Sequence, residues 1–218
     1  MTVQKKKWTS VSFVVPPEVV NLSNLRTISK ETVIASDMAA YSFDTYKYKN
    51  NKTAEMKLVN LFFVGVTASQ KSIVENGITE GKIIVDAVNW CRYLGNTPPS
   101  TMTPSFLAKK AKILDNLTDV SVKILSRSDI QKLGMGCLLG VARGAKEEPK
   151  FIIVEYWGAK KIQKPTVLVG KGITYDSGGL SLKPTKYMKD MKFDMLGGAT
   201  VLAVIKAAAG LKLKKNII

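Results

Sequence analysis

Hydrophobic positions along this 218-residue chain follow two periods, and each change of period marks a new element. Residues 58–66, LVNLFFVGV, are a run of apolar and β-branched side chains of strand length, which predicts a buried strand. From 69 to 94 the spacing shifts. Ile73, Ile84, Val88 and Cys91, with Ile78 and Val85 beside them, recur near helical intervals until an NTPP turn stops the run. Thr103 followed by Pro104 predicts a helix start, a capping hydroxyl with proline at the first helical position, and Phe106, Leu107, Ala111 and Leu114 supply one apolar side. Residues 120–125 and 151–156 read as strands, 129–133 as a short helix, and 166–169 as a buried strand of a parallel sheet. Gly197 and Gly198 open an Ala-, Val- and Leu-rich helix through Ala209, and 216–218 begin another strand. The first fifty residues specify less, and 46–52 read as a polar loop rich in lysine and asparagine.

Alternating strands and helices of this kind imply an α/β fold with a mixed, largely parallel sheet flanked by helices. With 45% hydrophobic residues, the chain is long enough for one or two domains with a core. Lys and Arg total 33 against 17 Asp and Glu, a formal charge of +16, which on its own suggests a nucleic-acid or anionic-membrane partner. The basic residues are scattered in short clusters at 5–7, 109–112 and 212–215, however, and no aromatic-interleaved RNA motif accompanies them. No apolar run approaches the roughly twenty residues of a membrane span, and the amino terminus lacks the continuous apolar segment of a secretory signal. Cys91 and Cys137 are too few and too far apart for a disulfide scaffold or a CxxC site, so both read as small buried core residues. A reduced, cytoplasmic protein is the expectation.

Chemistry concentrates in residues 167–194, VLVGKGITYDSGGLSLKPTKYMKDMKFD, where Lys171, Asp176, Lys183 and Asp194 share a glycine-punctuated loop after an apolar strand. Ligands in parallel sheets gather where strands end. The absence of histidine from all 218 residues excludes Ser-His-Asp and Cys-His nucleophile systems and histidine-ligated zinc. Two aspartates can gather one or two divalent cations through oxygen, and a lysine can join them if its amine is held neutral. Lys183 could instead stay charged and stabilise an oxyanion. Three plainer readings compete. The glycines at 170, 172, 178 and 179 could cradle phosphate, although neither the P-loop nor the dinucleotide order is present. Lys171 and Asp176 could be a structural ion pair, and the later lysines a solvated basic face.

The segment GKGITYDSGGLSLKP followed by MKDMKFDMLGGA closely resembles the metal-binding region of the leucyl aminopeptidase (cytosol aminopeptidase) family, two-metal peptidases that remove N-terminal residues. NTPPSTMTP at 96–104 and GMGCLLGVARGA at 134–145 resemble family segments in the same order. The likeness covers 79–218 well and the first part poorly. It implies a partial amino-terminal α/β domain at 1–68, a connecting helix at 69–95, and the first part of the catalytic domain at 96–218.

Carried over position by position, the resemblance implies that Asp176 bridges two divalent ions and that Lys171 binds one of them through its amine. Asp194 would complete that site and receive the substrate's free amino group. Lys183 matches the family's catalytic lysine, and Met191 falls where substrate-pocket residues are found. Zinc, manganese and magnesium all suit such a site. Peptide substrates and a hexameric assembly are implied as well. The resemblance also implies a later NTDAEGR-type segment that completes the metal cage, and Ile218 is reached before it, so an incomplete cage is expected. Two alternatives of other classes follow: a catalytically dead subunit that docks on complete homologues, and a basic DNA-binding relative.

Overall fold

The computed structural model describes residues 9–15, 22–47 and 60–218. The basic cluster at 5–7, most of the polar loop and the first two residues of the strand expected at 58–66 lie outside the described residues. The chain forms two compact units, 1–89 and 90–218.

In the first unit, β1 (Ser10–Val14) and β2 (Asn60–Val64) pair in parallel, with Phe13 opposite Phe63. Both strands show the alternation of exposed and half-buried positions that a two-faced strand requires. Helix α1 (Leu22–Ala40) packs against α2 (Lys71–Asn96), the long helix expected from the spacing at 69–94. Gly77 and Gly81 allow the close contact. One turn apart on α2, they face the Arg26 and Lys30 carbonyls of α1, where a Cβ would come within 2.3 and 2.7 Å of oxygen. Val15, Leu25 and Val74 form a small core, and buried Ser29 satisfies its hydroxyl on the Leu25 carbonyl at 2.7 Å.

The second unit is built on β3 (Val120–Leu125), β4 (Phe151–Trp157) and β5 (Asn216–Ile217) in the order β3-β4-β5. Both pairings in this sheet are antiparallel. Parallel pairing among the described residues is confined to β1 with β2 and to a bridge between Thr166 and Ile217. The fold is therefore mixed α/β, with less parallel character than the sequence suggested. The difference arises at 166–169. Thr166 and Leu168 do hydrogen-bond alongside 216–218, but β5 offers only two residues and a single bridge results. Val167 and Val169 stand 62% and 93% exposed, which corrects the expectation of a buried strand there.

Helix α3 (Pro104–Lys112) begins as expected: the Phe106 N–H donates to the Thr103 hydroxyl at 3.2 Å, and Leu107 and Ala111 are buried, with Leu114 just beyond. They join Val122, Val154 and Tyr156 from the sheet and Leu202, Ile205 and Ala208 from α7 (Leu196–Gly210) in one core. The NTPP turn is structural. Thr97 is buried and donates to the Tyr93 carbonyl at 2.8 Å, while Met102 fills the core behind it.

The segment Thr185–Gly210 is apolar and long enough by composition to cross a membrane, which corrects the expectation that no stretch reaches that length. Its backbone is nonetheless broken into α6 (Thr185–Met188), a 3-10 turn (Met191–Phe193) and α7, and Ala199, Leu202, Ile205 and Ala208 of α7 pack into the core while Val204 is exposed. Cys91 packs against that core, but Cys137 is exposed on the short α5 (Gly136–Val141), which buries none of its residues. The burial expected of Cys137 is thus corrected. The short helix expected at 129–133 is α4 (Arg127–Lys132), capped by Ser126.

Asn216 carries the densest polar node. Buried to 4% exposure, its amide accepts from the Ala159 N–H at 3.0 Å and donates to the Lys160 and Gln163 carbonyls at 2.9 and 2.8 Å. Replacing it by alanine leaves three backbone groups without partners. Asn216→Ala should lower the unfolding free energy by about 1–3 kcal/mol, measured as a lower urea midpoint; an unchanged midpoint would show that water replaces the amide.

Asp115 closes the α3–β3 connection by pairing with Lys112 and accepting from the Val122 N–H. The Lys112 hydrogen bond, and then the Val122 N–H, hold its carboxyl below the ordinary value, with burial opposing. A depressed folded-state pKa stabilises above the unfolded value of about 3.9, and that contribution is lost as pH falls through the folded value. Asp115→Asn should therefore melt below wild type at neutral pH, and the gap should narrow as the pH drops beneath about 4. Parallel melting curves from pH 7 to 3 test this.

Candidate active site

A glycine-on-glycine contact positions the site. Residues 170–172 run against the start of α7 so closely that a Cβ on Gly170 would lie 2.5 Å from the Gly197 carbonyl oxygen. A Cβ on Gly197 would in turn lie 2.9 Å from the Lys171 nitrogen. The Gly198 N–H donates to the Lys171 carbonyl at 2.6 Å, which fixes Lys171 against the helix start. Asp194 ends the 3-10 turn that leads into the same helix. The two side chains meet: Lys171 Nζ stands 3.0 Å from Asp194 Oδ2.

Asp176 and Lys183 meet in the neighbouring loop, with Lys183 Nζ 3.2 Å from Asp176 Oδ2. The other oxygen, Asp176 Oδ1, accepts from the Gly178 N–H at 2.9 Å, and the Lys183 N–H donates to the Ser177 carbonyl at 2.9 Å. Gly178 has φ +89°, and a Cβ there would collide with the Ser181 carbonyl. Only glycine allows this turn. The Gly178 N–H, followed by the Lys183 ammonium, holds the Asp176 carboxyl below its ordinary value, and Lys171 adds a longer-range attraction. That attraction links the two pairs electrostatically.

The structural pair suggested by the sequence, Lys171 with Asp176, is therefore not the one formed. Lys171 takes Asp194, and Asp176 takes Lys183. Met191 opens the 3-10 turn, half-buried, and its carbonyl accepts from the Asp194 N–H at 3.2 Å. Sequence reasoning missed Tyr175, whose hydroxyl donates to the Met188 carbonyl at 3.4 Å and ties the loop to α6. It also missed the steric role of Gly170, Gly197 and Gly198. The signal for both was present only as glycines at two separated places, which sequence spacing does not join.

Residues 89–218 match the catalytic domain of the cytosol aminopeptidase family. The chain belongs to that family. Among curated relatives, a probable cytosol aminopeptidase of Methylobacillus flagellatus is 42% identical over 196 residues, covering 88% of this chain and 38% of the relative. That of Alkalilimnicola ehrlichii is 38% identical over 208 residues, covering 95% of this chain and 42% of its own length. The chain thus spans about two fifths of the length of the curated relatives it matches. Among solved structures, the cytosol aminopeptidase from Coxiella burnetii superposes with a TM-score of 0.78 at 21% identity, over 99% of this chain and 42% of that one. A manganese complex of the bottromycin maturation enzyme BotP gives 0.71 at 25% identity, over 94% of this chain and 42% of that one. The cytosol aminopeptidase fold is shared in each case.

The donor set of this family member suits divalent cations. Among the described residues no three His, Cys, Asp or Glu side chains converge, so a three-ligand group here must draw on lysine. Asp194 Oδ2 is buried from solvent and lacks hydrogen-bond geometry even with Lys171 beside it. The Lys171 ammonium at 3.0 Å offsets the cost of burying that oxygen, and a divalent cation could take over the same role. Lys171, Asp176 and Asp194 therefore fit as two hard oxygen donors and one amine.

The glycine contact gives the sharpest check on this geometry. Gly170→Ala must push Lys171 away from α7, at a cost of about 1–3 kcal/mol. The variant should unfold at lower urea and should also bind Mn²⁺ more weakly in equilibrium dialysis. Unchanged values in both measurements would rule out the close approach.

Proposed function

We propose that the natural protein carrying this sequence is a metal-dependent aminopeptidase that releases N-terminal residues such as leucine from peptides. Within a cytosol aminopeptidase family member, the observation that carries this reading is the gathering of Lys171 with Asp194 and of Lys183 with Asp176 inside the matched catalytic domain. Lys171, Asp176 and Asp194 would hold the ions. A bound pair of divalent ions supplies Lewis acidity and generates a nucleophile from water near neutral pH.

The remaining chemistry falls to the chain's own side chains. Lys183 places an ammonium beside the reacting carbonyl and stabilises the oxyanion that develops there. Asp194 receives the positive charge of the substrate's free amino group, which restricts attack to the first peptide bond. Met191 offers an apolar contact to the first side chain. Oxygen-rich donors with one amine suit zinc, manganese and magnesium alike, and the manganese-bound neighbour supports the second. A hexamer and a cytoplasmic location accompany this reading, the location supported by the relatives' designation as cytosol aminopeptidases.

Hydrolysis of leucine 4-nitroanilide by the natural protein with Mn²⁺, Zn²⁺ or Mg²⁺ tests the proposal. Lys183→Ala should lower kcat by about 10²–10³-fold while Mn²⁺ uptake persists, and Lys183→Arg should recover part of the loss. Absence of hydrolysis by wild type with all three metals would overturn the reading.

A further inference from the structure

We propose that, in the metal-free protein, Asp176 holds Lys183 as an internal counter-ion, so that a divalent ion and Lys183 compete for one carboxylate and metal loading releases the lysine. This deepens the aminopeptidase reading and rests on it. Four observations carry it. Lys183 Nζ is 3.2 Å from Asp176 Oδ2, and both side chains are about two thirds or more shielded from solvent, at 32% and 28% exposure. The second oxygen, Oδ1, accepts from the Gly178 N–H at 2.9 Å, so both oxygens already carry a partner and a cation on either one arrives beside the Lys183 ammonium. The Lys183 N–H is tied to the Ser177 carbonyl, which fixes the backbone of the lysine one residue from the aspartate's own turn. Gly178, at φ +89°, locks that turn from the other side.

The loop's backbone therefore brings the two residues together, so that the lysine side chain can reach the aspartate within one loop. While the pair persists, the Lys183 ammonium points at a carboxylate, and it is not available to a substrate carbonyl. A divalent ion held by Asp176 would compete with Lys183 for the carboxylate and add a like charge nearby, and both effects would turn the ammonium outward. Arming of the lysine and filling of the metal site then become one event, which keeps an unloaded protein from presenting half of its machinery.

Lysine accessibility reads this without any assay of activity. The natural protein is titrated with Mn²⁺ while occupancy is followed by electron paramagnetic resonance. At each point a brief pulse of an acetylating N-hydroxysuccinimide ester is applied, and Lys183 modification is quantified by peptide mass spectrometry against Lys132 on α4. Labelling of Lys183 should rise in step with occupancy by about two- to fivefold, the factor that release of one partly exposed ion pair allows. Metal-free Asp176→Asn should label Lys183 at the faster rate from the start. Mn²⁺ binding with flat or falling Lys183 labelling would overturn the competition while leaving the metal site standing. Failure to bind Mn²⁺ at all would overturn both.

Discussion

The Lys171–Asp194 pair depends on two stretches of backbone touching where neither carries a side chain. Gly170 and Gly172 lie against Gly197 and Gly198, and the Gly198 N–H closes on the Lys171 carbonyl. A β-carbon on Gly170 or Gly197 would separate the loop from the helix, and a Lys171 displaced with it could not reach Asp194. The contact is steric permission, and the ion pair is its result. Because α7 is also a main wall of the core, with Leu202, Ile205 and Ala208 packed inward, the loop inherits the rigidity of the helix it touches. A site of this kind is set by the scaffold beneath it, although most of its own residues are irregular.

Electrostatics then sort four side chains into two pairs that sequence order does not suggest. Lys171 is five residues from Asp176 yet pairs across the fold with Asp194, while Asp176 turns forward to Lys183. Each positive charge therefore has a carboxylate, and the strongly basic chain, with a formal charge of +16, presents a locally neutral centre. Such balance lowers the cost of gathering four ionisable groups in partial burial.

Much of the scaffold was legible from the sequence because its signals are local. The α2 helix follows from its apolar spacing, the α3 start from Thr103 and Pro104, and β3 and β4 from short β-branched runs. What escaped was non-local. The exposed Val167 and Val169 look like a strand by composition, but strand burial needs partners on both sides, and pairing there amounts to one bridge with Ile217. Cys137 reads as core by its glycine-flanked apolar neighbours, whereas α5 leaves its residues uncovered. The site residues themselves were visible as types and positions. Their pairing was not, since it depends on a turn at Gly178 and a contact at Gly170 that bring distant residues together.

The Asn216 node has a consequence for the order in which the protein can be made. Its amide bonds join Ala159, Lys160 and Gln163 to a residue 57, 56 and 53 positions later. During synthesis the 159–163 turn leaves the ribosome well before its anchor does. At roughly 5–20 residues per second, that turn spends several seconds without the contact that fastens it. Helix α7 emerges within that interval, so the chain that carries the turn's anchor follows directly behind a core helix.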